Sequence, residues 1–433
     1  MNLPADVFEY LNTKGYSDHT PVTVRLHKSL YGLKQAGEVF YQFLRQILQD
    51  ANFKRLINDI CVFVWSDSAT GHLVIILIFV DDILITGNCT IRINEVKQII
   101  ETRVTKLKVL GDLKRFVGLD AFRNREKRTL ILSQKPYTES IIALHPPLKS
   151  ANVPLDPYKD YRKQGDHNLP PLHKEIGKLR FLADRTMPHL QAACSLLATG
   201  TANPAQEHVD GCKHIIRYLG SHSTEGLTFA GASDPEHELE LFGMCDASYI
   251  PGYDSKSQIG YALFLNLNSG TICSRSYKAT SIDRSAMDAE IRAIDATVVE
   301  ILWHRAFLEE LGFKQNKPTI IWTDNQSGIL LSEQYKISQR SQHLVMRLNF
   351  IHQEIQNGTI RLCYIDTASN VADVLTKALP FVPFKQHADK LTTGFDNQPI
   401  QAKPRKVAKV ISNKSKFKKI LSSKKRIYAH SST

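Results

Sequence analysis

The stretch LVIILIFVDDILIT (Leu73–Thr86) decides the fold of the N-terminal part of the chain. Large apolar and β-branched residues fill both halves, which predicts two buried strands, Leu73–Val80 and Ile83–Thr86. Two adjacent carboxylates, Asp81 and Asp82, stand between them, where a surface hairpin usually turns on Asn-Gly or Asp-Gly. The pattern therefore predicts a tight hairpin with both carboxylates at its tip. They either bind a metal ion or form an ordinary exposed turn, and this stretch alone leaves both interpretations open.

Further motifs stand on both sides of the hairpin. Upstream are RLHKSLYGLKQAGEVFY (Arg25–Tyr41) and INDICVF (Ile57–Phe63). Downstream are, in chain order, GDLKRFVGLD (Gly111–Asp120), LSQKPY (Leu132–Tyr137), VPLD (Val153–Asp156) and IGKLRFLADRTMPHL (Ile176–Leu190). Together with the FVDD hairpin, these segments resemble the reverse-transcriptase region of copia-type long-terminal-repeat retrotransposon polyproteins. The resemblance extends from near Met1 to about Pro380.

The resemblance implies a multidomain chain of α+β and α/β class. We expect four parts: a partial reverse-transcriptase palm (1–145), a helical thumb or connection (146–230), a ribonuclease H-like mixed sheet with flanking helices (236–391) and a basic disordered tail (392–433). The spacing of apolar residues agrees, because it predicts an amphipathic helix over about Gly37–Ala51 and helices over about Leu148–Phe229. The polar segment GASDPEHE (Gly231–Glu238) then precedes alternating strands and helices.

Four acidic residues downstream occur in the order and sequence context of a ribonuclease H. Asp246 closes a predicted strand in LELFGMCDASY, Glu290 lies on the predicted helix SAMDAEIRAIDATVVEILWHRAFLEEL, Asp324 ends the strand TIIWTDNQSG, and Asp373 lies on a final predicted helix in SNVADVLTKALP. Such carboxylates hold two divalent ions about 4 Å apart on the scissile phosphate. Their hard oxygen atoms suit Mg²⁺ or Mn²⁺. Singly, each acid is better explained as a turn, a cap or a solvated helix face, so the assignment depends on the resemblance of all four contexts.

Helical geometry chooses between neighbouring acids on the first helix of this region. At about 100° per residue, Asp288 points nearly opposite to Glu290, and Asp295 lies about 140° away from it. The AEIRAI context of Glu290 resembles the A-E-x-x-A-hydrophobic segment of the family. We therefore assign Glu290, rather than Asp288 or Asp295, to the predicted metal site.

Polar residues beside these acids are candidates for nucleic-acid contact. Ser248, with Lys256 and Ser257, belongs to a predicted hairpin that resembles the first hairpin of the family, where hydroxyl groups touch the nucleic-acid backbone. Simple hairpin polarity explains them equally well. The remaining candidates precede or follow the predicted catalytic acids and would contact RNA 2′-hydroxyls; they are Ser281, Ser285, Asn325 and Gln326.

The resemblance places a third polymerase carboxylate shortly before the segment that MNLPADVFEYL resembles, and therefore upstream of Met1. Loss of one of three metal ligands weakens ion binding and misplaces the incoming triphosphate. We therefore expect polymerase activity to be lost by truncation, unless a longer precursor supplies the missing strand. In that case Asp81 and Asp82 would bind metal, and Gly32, Lys34 and Gln35 would lie near the template or nucleotide.

Length and composition fit an intracellular nucleic-acid enzyme. The chain has 433 residues, which suggests two or three domains, and its apolar fraction of 42% is sufficient for packed cores. The 7 cysteines contain no C-x-x-C pair, which argues against a disulfide framework or a zinc knuckle and favours reduced thiols. The sequence has no signal-peptide pattern and no apolar run long enough to span a membrane. We expect a location in the cytoplasm, within a virus-like particle, or in the nucleus, and no membrane partner.

The net charge of +12 is concentrated in the C-terminal segment. Residues 401–433 contain eleven Lys and Arg and no acidic residue, which leaves the rest of the chain at +1. Such a tail neutralises phosphates without sequence choice. Nuclear import through Lys424, Lys425 and Arg426, or an idle solvated tail, would explain the same composition.

Three functions follow as alternatives. In the first, the chain is a Mg²⁺-dependent ribonuclease that cleaves the RNA of RNA–DNA hybrids. In the second, it is part of an RNA-directed DNA polymerase that acts on an RNA template and DNA, alongside other products of the polyprotein. In the third, it is an inactive relic that binds nucleic acid, an alternative supported by Val345, which stands where many copia relatives have Asp.

Overall fold

The computed structural model describes residues 9–10, 13–15, 33–104, 107–163, 165, 168–231, 239–249, 256–334, 344–396, 398 and 400. The chain divides into two compact units, Met1–Val109 and Leu110–Thr433. Gly32 and the basic residues Lys424, Lys425 and Arg426 lie outside the described residues. Within the described part, no helix combines the length and the apolar character needed to cross a bilayer.

Over residues 33–104, unit 1 packs two helices on a four-stranded antiparallel sheet of order β1-β2-β3-β4. Its elements are β1 (Lys54–Arg55), β2 (Val62–Asp67), β3 (His72–Phe79), β4 (Asp82–Gly87), α1 (Ala36–Asp50) and α2 (Thr90–Arg103). Alternate residues of β3, among them Val74, Ile76 and Ile78, are buried, and they meet Leu44 and Ile47 of α1 in one core. The predicted hairpin strands and the predicted amphipathic helix are therefore present, with each bound displaced by one residue.

Unit 2 contains two sheets. Its strands are β5 (Arg115–Phe116), β6 (Leu119–Asn124), β7 (Thr129–Ser133), β8 (Gly226–Ala230), β9 (Phe242–Ser248), β10 (Gln258–Phe264), β11 (Cys273–Lys278), β12 (Thr319–Thr323) and β13 (Ile360–Tyr364). Its helices are α3 (Lys135–Ile142), α4 (His173–Ala183), α5 (Gln191–Ala198), α6 (Gln206–His222), α7 (Ala286–Glu310), α8 (Gln326–Gln334), α9 (Val345–Gln356) and α10 (Phe381–Thr393). Three short 3₁₀ helices complete the described elements; they are Pro188–Leu190, Thr367–Ser369 and Val371–Leu375.

The first sheet has the order β5-β6-β7-β8 and is antiparallel throughout. Strand β8 pairs with β7 although 92 residues separate Ser133 from Gly226 at one end of the register. The sequence-based division at residue 145 separates these two strands, and the two compact units instead divide after Val109. The four-part domain assignment stays a prediction.

The second sheet has the order β11-β10-β9-β12-β13 and is mixed. Strands β11, β10 and β9 are antiparallel, whereas β9, β12 and β13 are parallel. Helices pack on both faces, as the predicted mixed sheet with flanking helices requires. Successive side chains of β9 point to opposite faces of the sheet. Met244 lies in the core shared with α4–α6 and α10, and Cys245 lies in the core shared with α7 and α9.

Gly260 lets the 3₁₀ segment Val371–Leu375 approach the sheet closely. Gly260 lies on β10 directly opposite Asp246 of β9. A Cβ atom at Gly260 would lie 2.7 Å from Cβ of Leu375 and 2.8 Å from Cγ2 of Thr376. Any larger residue therefore pushes this segment away from Asp246.

We predict that Gly260→Ala lowers the free energy of unfolding by about 1–3 kcal/mol, because the extra methyl group overpacks this contact. Gly177→Ala is the matched control, since Gly177 lies inside α4 on an exposed surface with open space around its Cα. There the change should be neutral or stabilising by up to about 1 kcal/mol. Urea unfolding of both variants measures the difference, and equal stability of the two would contradict this account.

Candidate metal centre at the edge of the mixed sheet

Three of the predicted acids converge at one edge of the mixed sheet. Asp246 lies two residues before the end of β9, and Asp324 directly follows β12. The parallel register pairs Trp322 with Met244, so both acids stand two residues beyond one paired position. Glu290 reaches the same edge from the first turns of α7. One carboxylate oxygen from each of these three acids lies within 4.8 Å of the other two.

The fourth predicted acid, Asp373, lies beside the same cluster. It belongs to the 3₁₀ helix Val371–Leu375 and not to a regular α-helix, which corrects the expectation from the sequence. Its Oδ1 atom lies 3.0 Å from Nζ of Lys377, and the same Nζ lies 3.8 Å from Oδ2 of Asp246. The Thr376 hydroxyl donates a hydrogen bond to Oδ2 of Asp246. Asp373 and Asp246 are therefore linked through two neighbouring side chains.

Asn370 and Thr367 attach this segment to the sheet. The Asn370 side chain is fully buried, and its Nδ2 donates to the carbonyl oxygen of Cys245 at 2.9 Å. Its Oδ1 accepts from the backbone N–H of Ala372 at 3.2 Å and caps the 3₁₀ helix. The Thr367 hydroxyl donates to Oδ2 of Asp324 at 2.6 Å. The segment thus holds one oxygen each of Asp246 and Asp324 in a defined orientation.

The crowding of carboxylates raises their proton affinity. Burial, followed by the charges of Asp246 and Asp324, raises the pKa of Glu290 to about 9. Burial and the charge of Asp246 raise the pKa of Asp373 to about 7, although Lys377 opposes the shift. Burial also raises the pKa of Asp324. For Lys377, burial favours the neutral form, but Asp246 and Asp373 outweigh it and raise the pKa.

The donor set fits divalent cations with hard ligand preferences. It consists of carboxylate oxygens, and Oε2 of Glu290 is buried without a hydrogen-bond partner among the described residues. A buried carboxylate oxygen without a partner is costly, and a cation would satisfy it. The neighbouring acids of α7 point elsewhere: Asp288 and Asp295 each lie 3.5 Å from the Arg347 guanidinium. The helical geometry inferred from the sequence therefore separates these acids correctly.

The residues predicted to contact nucleic acid differ in their burial and in their hydrogen-bond partners. Ser248 ends β9 and is half-buried. Ser285 caps α7 by accepting from the Asp288 N–H at 3.2 Å, and Asn325 accepts from the Gly328 N–H at 2.8 Å just before α8. Ser257 is fully buried, so the expectation that its hydroxyl touches nucleic acid is wrong. Nucleic-acid contact by the other residues stays a prediction.

The remaining polar candidates are Gln326, Lys256 and Ser281. Gln326 is the first residue of α8 and is half-buried. Lys256 is half-buried just before β10. The exposed Ser281 accepts a hydrogen bond from Nη2 of Arg292 at 2.9 Å. Contact of Gln326 and Ser281 with RNA, and of Lys256 with the nucleic-acid backbone, stays a prediction.

The polymerase-type hairpin forms the tip of the β3–β4 pair in unit 1. Asp82 pairs with Phe79, and Val80 and Asp81 form the turn between them. Val80 has a φ of 54°, a conformation that is strained for a β-branched residue. Asp81 and Asp82 are exposed, and neither belongs to a group of three potential metal ligands within the described residues. Lys34 and Gln35 are exposed just before α1.

Sequence reasoning missed four residues that organise the acidic cluster: Lys377, Thr376, Thr367 and Asn370. A signal was available for two of them, since Thr376 and Lys377 belong to the motif ADVLTK that supported the assignment of Asp373. A cation four residues after an acid is a common ion-pair spacing. Nothing in the sequence indicated which oxygen Thr367 or Asn370 would contact.

The raised pKa values predict how stability depends on pH in the metal-free protein. A carboxyl group with a raised pKa keeps its proton in the folded state when it would lose it in the unfolded state. The folded state therefore becomes less stable as the pH rises from the pKa of the unfolded state, near 4.3, toward the higher pKa of the folded state. Each such group therefore lowers the free energy of unfolding by up to about 1.4 kcal/mol per pH unit across this window.

Because Gln cannot ionise, Glu290→Gln should unfold at a higher temperature than the wild type at pH 8 in chelator, and the difference should shrink by pH 5. Glu309→Gln, an exposed position on the same helix, serves as the control and should follow the wild type. Thermal unfolding monitored by circular dichroism measures both. A pH-independent difference for Glu290→Gln would contradict the raised pKa.

A comparison with known families identifies the N-terminal part of the chain. Residues 12–152 match the family model described as reverse transcriptase (RNA-dependent DNA polymerase). The Pol polyprotein of transposon RE2 from Arabidopsis thaliana is 30% identical over 380 residues, which cover 86% of this chain and 25% of the relative. That of transposon TNT 1-94 from Nicotiana tabacum is 29% identical over 369 residues, 82% of this chain and 27% of the relative. The chain thus spans about a quarter of the length of these relatives.

Two solved structures show distant similarity. The foamy viral protease-reverse transcriptase in complex with RNA/DNA hybrid aligns over 87% of this chain and 41% of the viral chain, with 13% identity and a TM-score of 0.43. LC11-RNase H1 in complex with RNA/DNA hybrid aligns over 31% of this chain and 93% of the LC11 chain, with 14% identity and a TM-score of 0.26. Scores of this size do not establish a shared fold, so the sequence relatives carry the identification. By its reverse-transcriptase domain and by its relatedness to Pol polyproteins over most of its length, the chain belongs to the copia-type retrotransposon polyproteins.

Proposed function

We propose that unit 2 cleaves the RNA strand of RNA–DNA hybrids in a reaction that depends on Mg²⁺ or Mn²⁺. The observation that carries this proposal is the convergence of carboxylate oxygens from Asp246, Glu290 and Asp324 within 4.8 Å of one another. The like charges of three acids from two parallel strands and a helix repel one another at this distance, and a bound divalent cation would compensate that repulsion. Family membership agrees with the proposal, since retrotransposon polyproteins process nucleic acid.

Asp246, Glu290 and Asp324 would hold the divalent ions, and Asp373 would complete the second position. When bound, the ions would activate a water molecule and stabilise the leaving oxygen of the scissile phosphodiester. The protein prepares the site by orienting its ligands: Thr376 fixes Oδ2 of Asp246, and Thr367 fixes Oδ2 of Asp324. Glu290 must release the proton that its raised pKa retains before both of its oxygens are available as ligands.

Lys377 would act on the charge balance of the site. In the metal-free protein its ammonium group lies beside Asp246 and Asp373 and partly neutralises them. Its side chain is 37% exposed, so it can turn outward toward a phosphate. We infer that Lys377 leaves the carboxylates to the metal ions and contacts the nucleic-acid backbone during the reaction.

The hybrid would be recognised at the starts of two helices near the acids. Ser285 precedes α7, and Asn325 and Gln326 lie at the start of α8. Helix N-termini attract phosphate groups, and hydroxyl and amide side chains there are able to contact RNA 2′-hydroxyls. Ser248 would approach the backbone from the end of β9.

Asp324→Asn should reduce nicking of a labelled RNA–DNA hybrid in Mg²⁺ by about a hundredfold or more, because an amide does not supply the charge that holds the ions. Asp389→Asn is the matched control: Asp389 is an exposed acid on α10, paired with Lys385 outside the cluster. It should retain wild-type nicking. A gel-based cleavage assay combined with filter binding separates cleavage from affinity for the hybrid.

The same experiment tests the alternative of an inactive relic. If the wild type and Asp324→Asn bind the hybrid equally and neither cleaves it, the chain is a nucleic-acid-binding relic and the hydrolase proposal is wrong. Cleavage by the wild type alone supports the hydrolase.

A second function, RNA-directed DNA synthesis, is favoured by the family match over residues 12–152 and by the carboxylates at the tip of the β3–β4 hairpin. Asp81 and Asp82 would be metal ligands, and Lys34 and Gln35 would lie near the template or nucleotide. The template would be RNA and the product DNA.

In a primer-extension assay on an RNA template, Asp81→Asn and Asp82→Asn should each lower any extension by about a hundredfold, because fewer charges hold the catalytic ions. Glu101→Gln, an exposed acid on α2 of the same unit, should leave extension unchanged. Extension that survives both Asp substitutions would remove the hairpin from the mechanism.

A further inference from the structure

A second group of potential metal ligands lies between α7 and the edge strand β11, separate from the acidic cluster. It consists of Cys273, Glu300 and His304, whose ligand atoms all lie within 4.8 Å of one another. Glu300 and His304 are four residues apart on the second half of α7 and therefore share one face of the helix. Cys273 is the first residue of the edge strand β11. Ten residues of helix, about 15 Å along its axis, separate Glu300 from Glu290.

The distances inside this group match the edges of a tetrahedron around a zinc ion. Bonds of about 2.3 Å to sulfur and about 2.0–2.1 Å to nitrogen or oxygen place tetrahedral ligand atoms about 3.4–3.6 Å apart. Sγ of Cys273 lies 3.5 Å from Oε1 of Glu300. Nδ1 of His304 also lies 3.5 Å from this oxygen. The same carboxylate oxygen therefore faces both the sulfur and the ring nitrogen at the spacing that an ion requires.

Tyr261 orients the carboxylate from behind. Its hydroxyl donates to Oε2 of Glu300 at 3.0 Å, which leaves Oε1 directed toward the other two ligands. Hydrogen bonds of this kind commonly fix the ligands of metal sites. The side chain of Glu300 is 28% exposed and that of His304 is 12% exposed, so solvent reaches the group. A water molecule is thus able to provide a fourth ligand.

We propose that Cys273, Glu300 and His304 bind one zinc ion, or another borderline-soft divalent cation, and that this ion clamps the edge strand β11 to α7. A thiolate and an imidazole favour such a cation over Mg²⁺, which the all-oxygen cluster prefers. On binding, the Cys273 thiol loses its proton to solvent and a sulfur–zinc bond forms. Nδ1 of His304 lies 2.9 Å from the Glu300 carbonyl oxygen. On zinc binding this hydrogen bond would break, the Nδ1 proton would move to Nε2 through solvent, and the freed lone pair of Nδ1 would form the nitrogen–zinc bond.

The test uses the full chain, stripped of metal with a chelator and then titrated with Co²⁺ in excess Mg²⁺. Mg²⁺ occupies sites made of carboxylates alone, and a sulfur-to-cobalt charge-transfer band reports only an ion bound to thiolate. The wild type should show this band together with the visible spectrum of tetrahedral Co²⁺, saturating at one ion per chain. Zn²⁺ added afterwards should abolish both signals by replacing Co²⁺.

Cys273→Ser should lose the charge-transfer band, and His304→Gln should bind Co²⁺ at least tenfold more weakly. Tyr261→Phe, which keeps all three ligands, should weaken binding by about tenfold. Cys363→Ser is the matched control, because Cys363 is also a half-buried free cysteine on a strand of the same sheet. It should bind Co²⁺ as the wild type does.

Two outcomes would overturn the proposal: a band that persists in Cys273→Ser, or a wild type that takes up no Co²⁺ or Zn²⁺ at micromolar concentration. Circular dichroism of each variant confirms that it is folded. Zn²⁺ should also raise the unfolding temperature of the wild type and of Cys363→Ser, but not that of Cys273→Ser. The readouts are spectroscopic and thermal, so the test of this metal site does not depend on nuclease activity.

Discussion

The mutual repulsion of buried carboxylates is the constraint on which the second unit depends. Asp246, Glu290 and Asp324 place oxygens within 4.8 Å of one another, and Asp373 adds a fourth charge nearby. At such distances in a medium of low dielectric constant, four negative charges do not coexist without compensation. Two features compensate them: the raised pKa values of Glu290 and Asp373 favour their protonated forms, and the Lys377 ammonium group lies beside Asp246 and Asp373. Each form of compensation is reversible, as the proposed binding of divalent ions would require.

The scaffold holds these charges together through backbone geometry. The parallel pairing of β9 with β12 fixes Asp246 and Asp324 at one edge, and α7 packs across the sheet to deliver Glu290. Asn370 bonds the 3₁₀ segment to the backbone of β9, and the missing side chain of Gly260 allows that segment to come close. Buried hydrogen bonds and close packing, whose loss costs about 1–3 kcal/mol each, offset the electrostatic cost of the site.

The sequence predicted the parts of this arrangement that depend on local pattern. Alternating and continuous apolar runs located the hairpin of Asp81 and Asp82, and helical angles separated Glu290 from Asp288 and Asp295. It failed where distant segments meet. The pairing of β8 with β7, the contacts of Thr367 and the burial of Ser257 depend on tertiary packing, which carries no periodic signal. The group formed by Cys273, Glu300 and His304 was missed in the sequence for the same reason, because Cys273 and Glu300 are 27 positions apart in the chain.

The long helix α7 carries ligands of both groups and thereby relates them. Glu290 near its start faces an all-oxygen cluster, and Glu300 with His304 in its second half faces a thiol. Because hard and borderline-soft donors differ in their preferred cations, the two proposed sites would differ in the ions that they favour. A clamp between β11 and the second half of α7 would restrict the tilt of the helix and hence the position of Glu290. A shift of about 1 Å in a reacting group is enough to change a rate a hundredfold. The rigidity of α7 is therefore the physical link through which an ion at Cys273 would influence the acidic cluster.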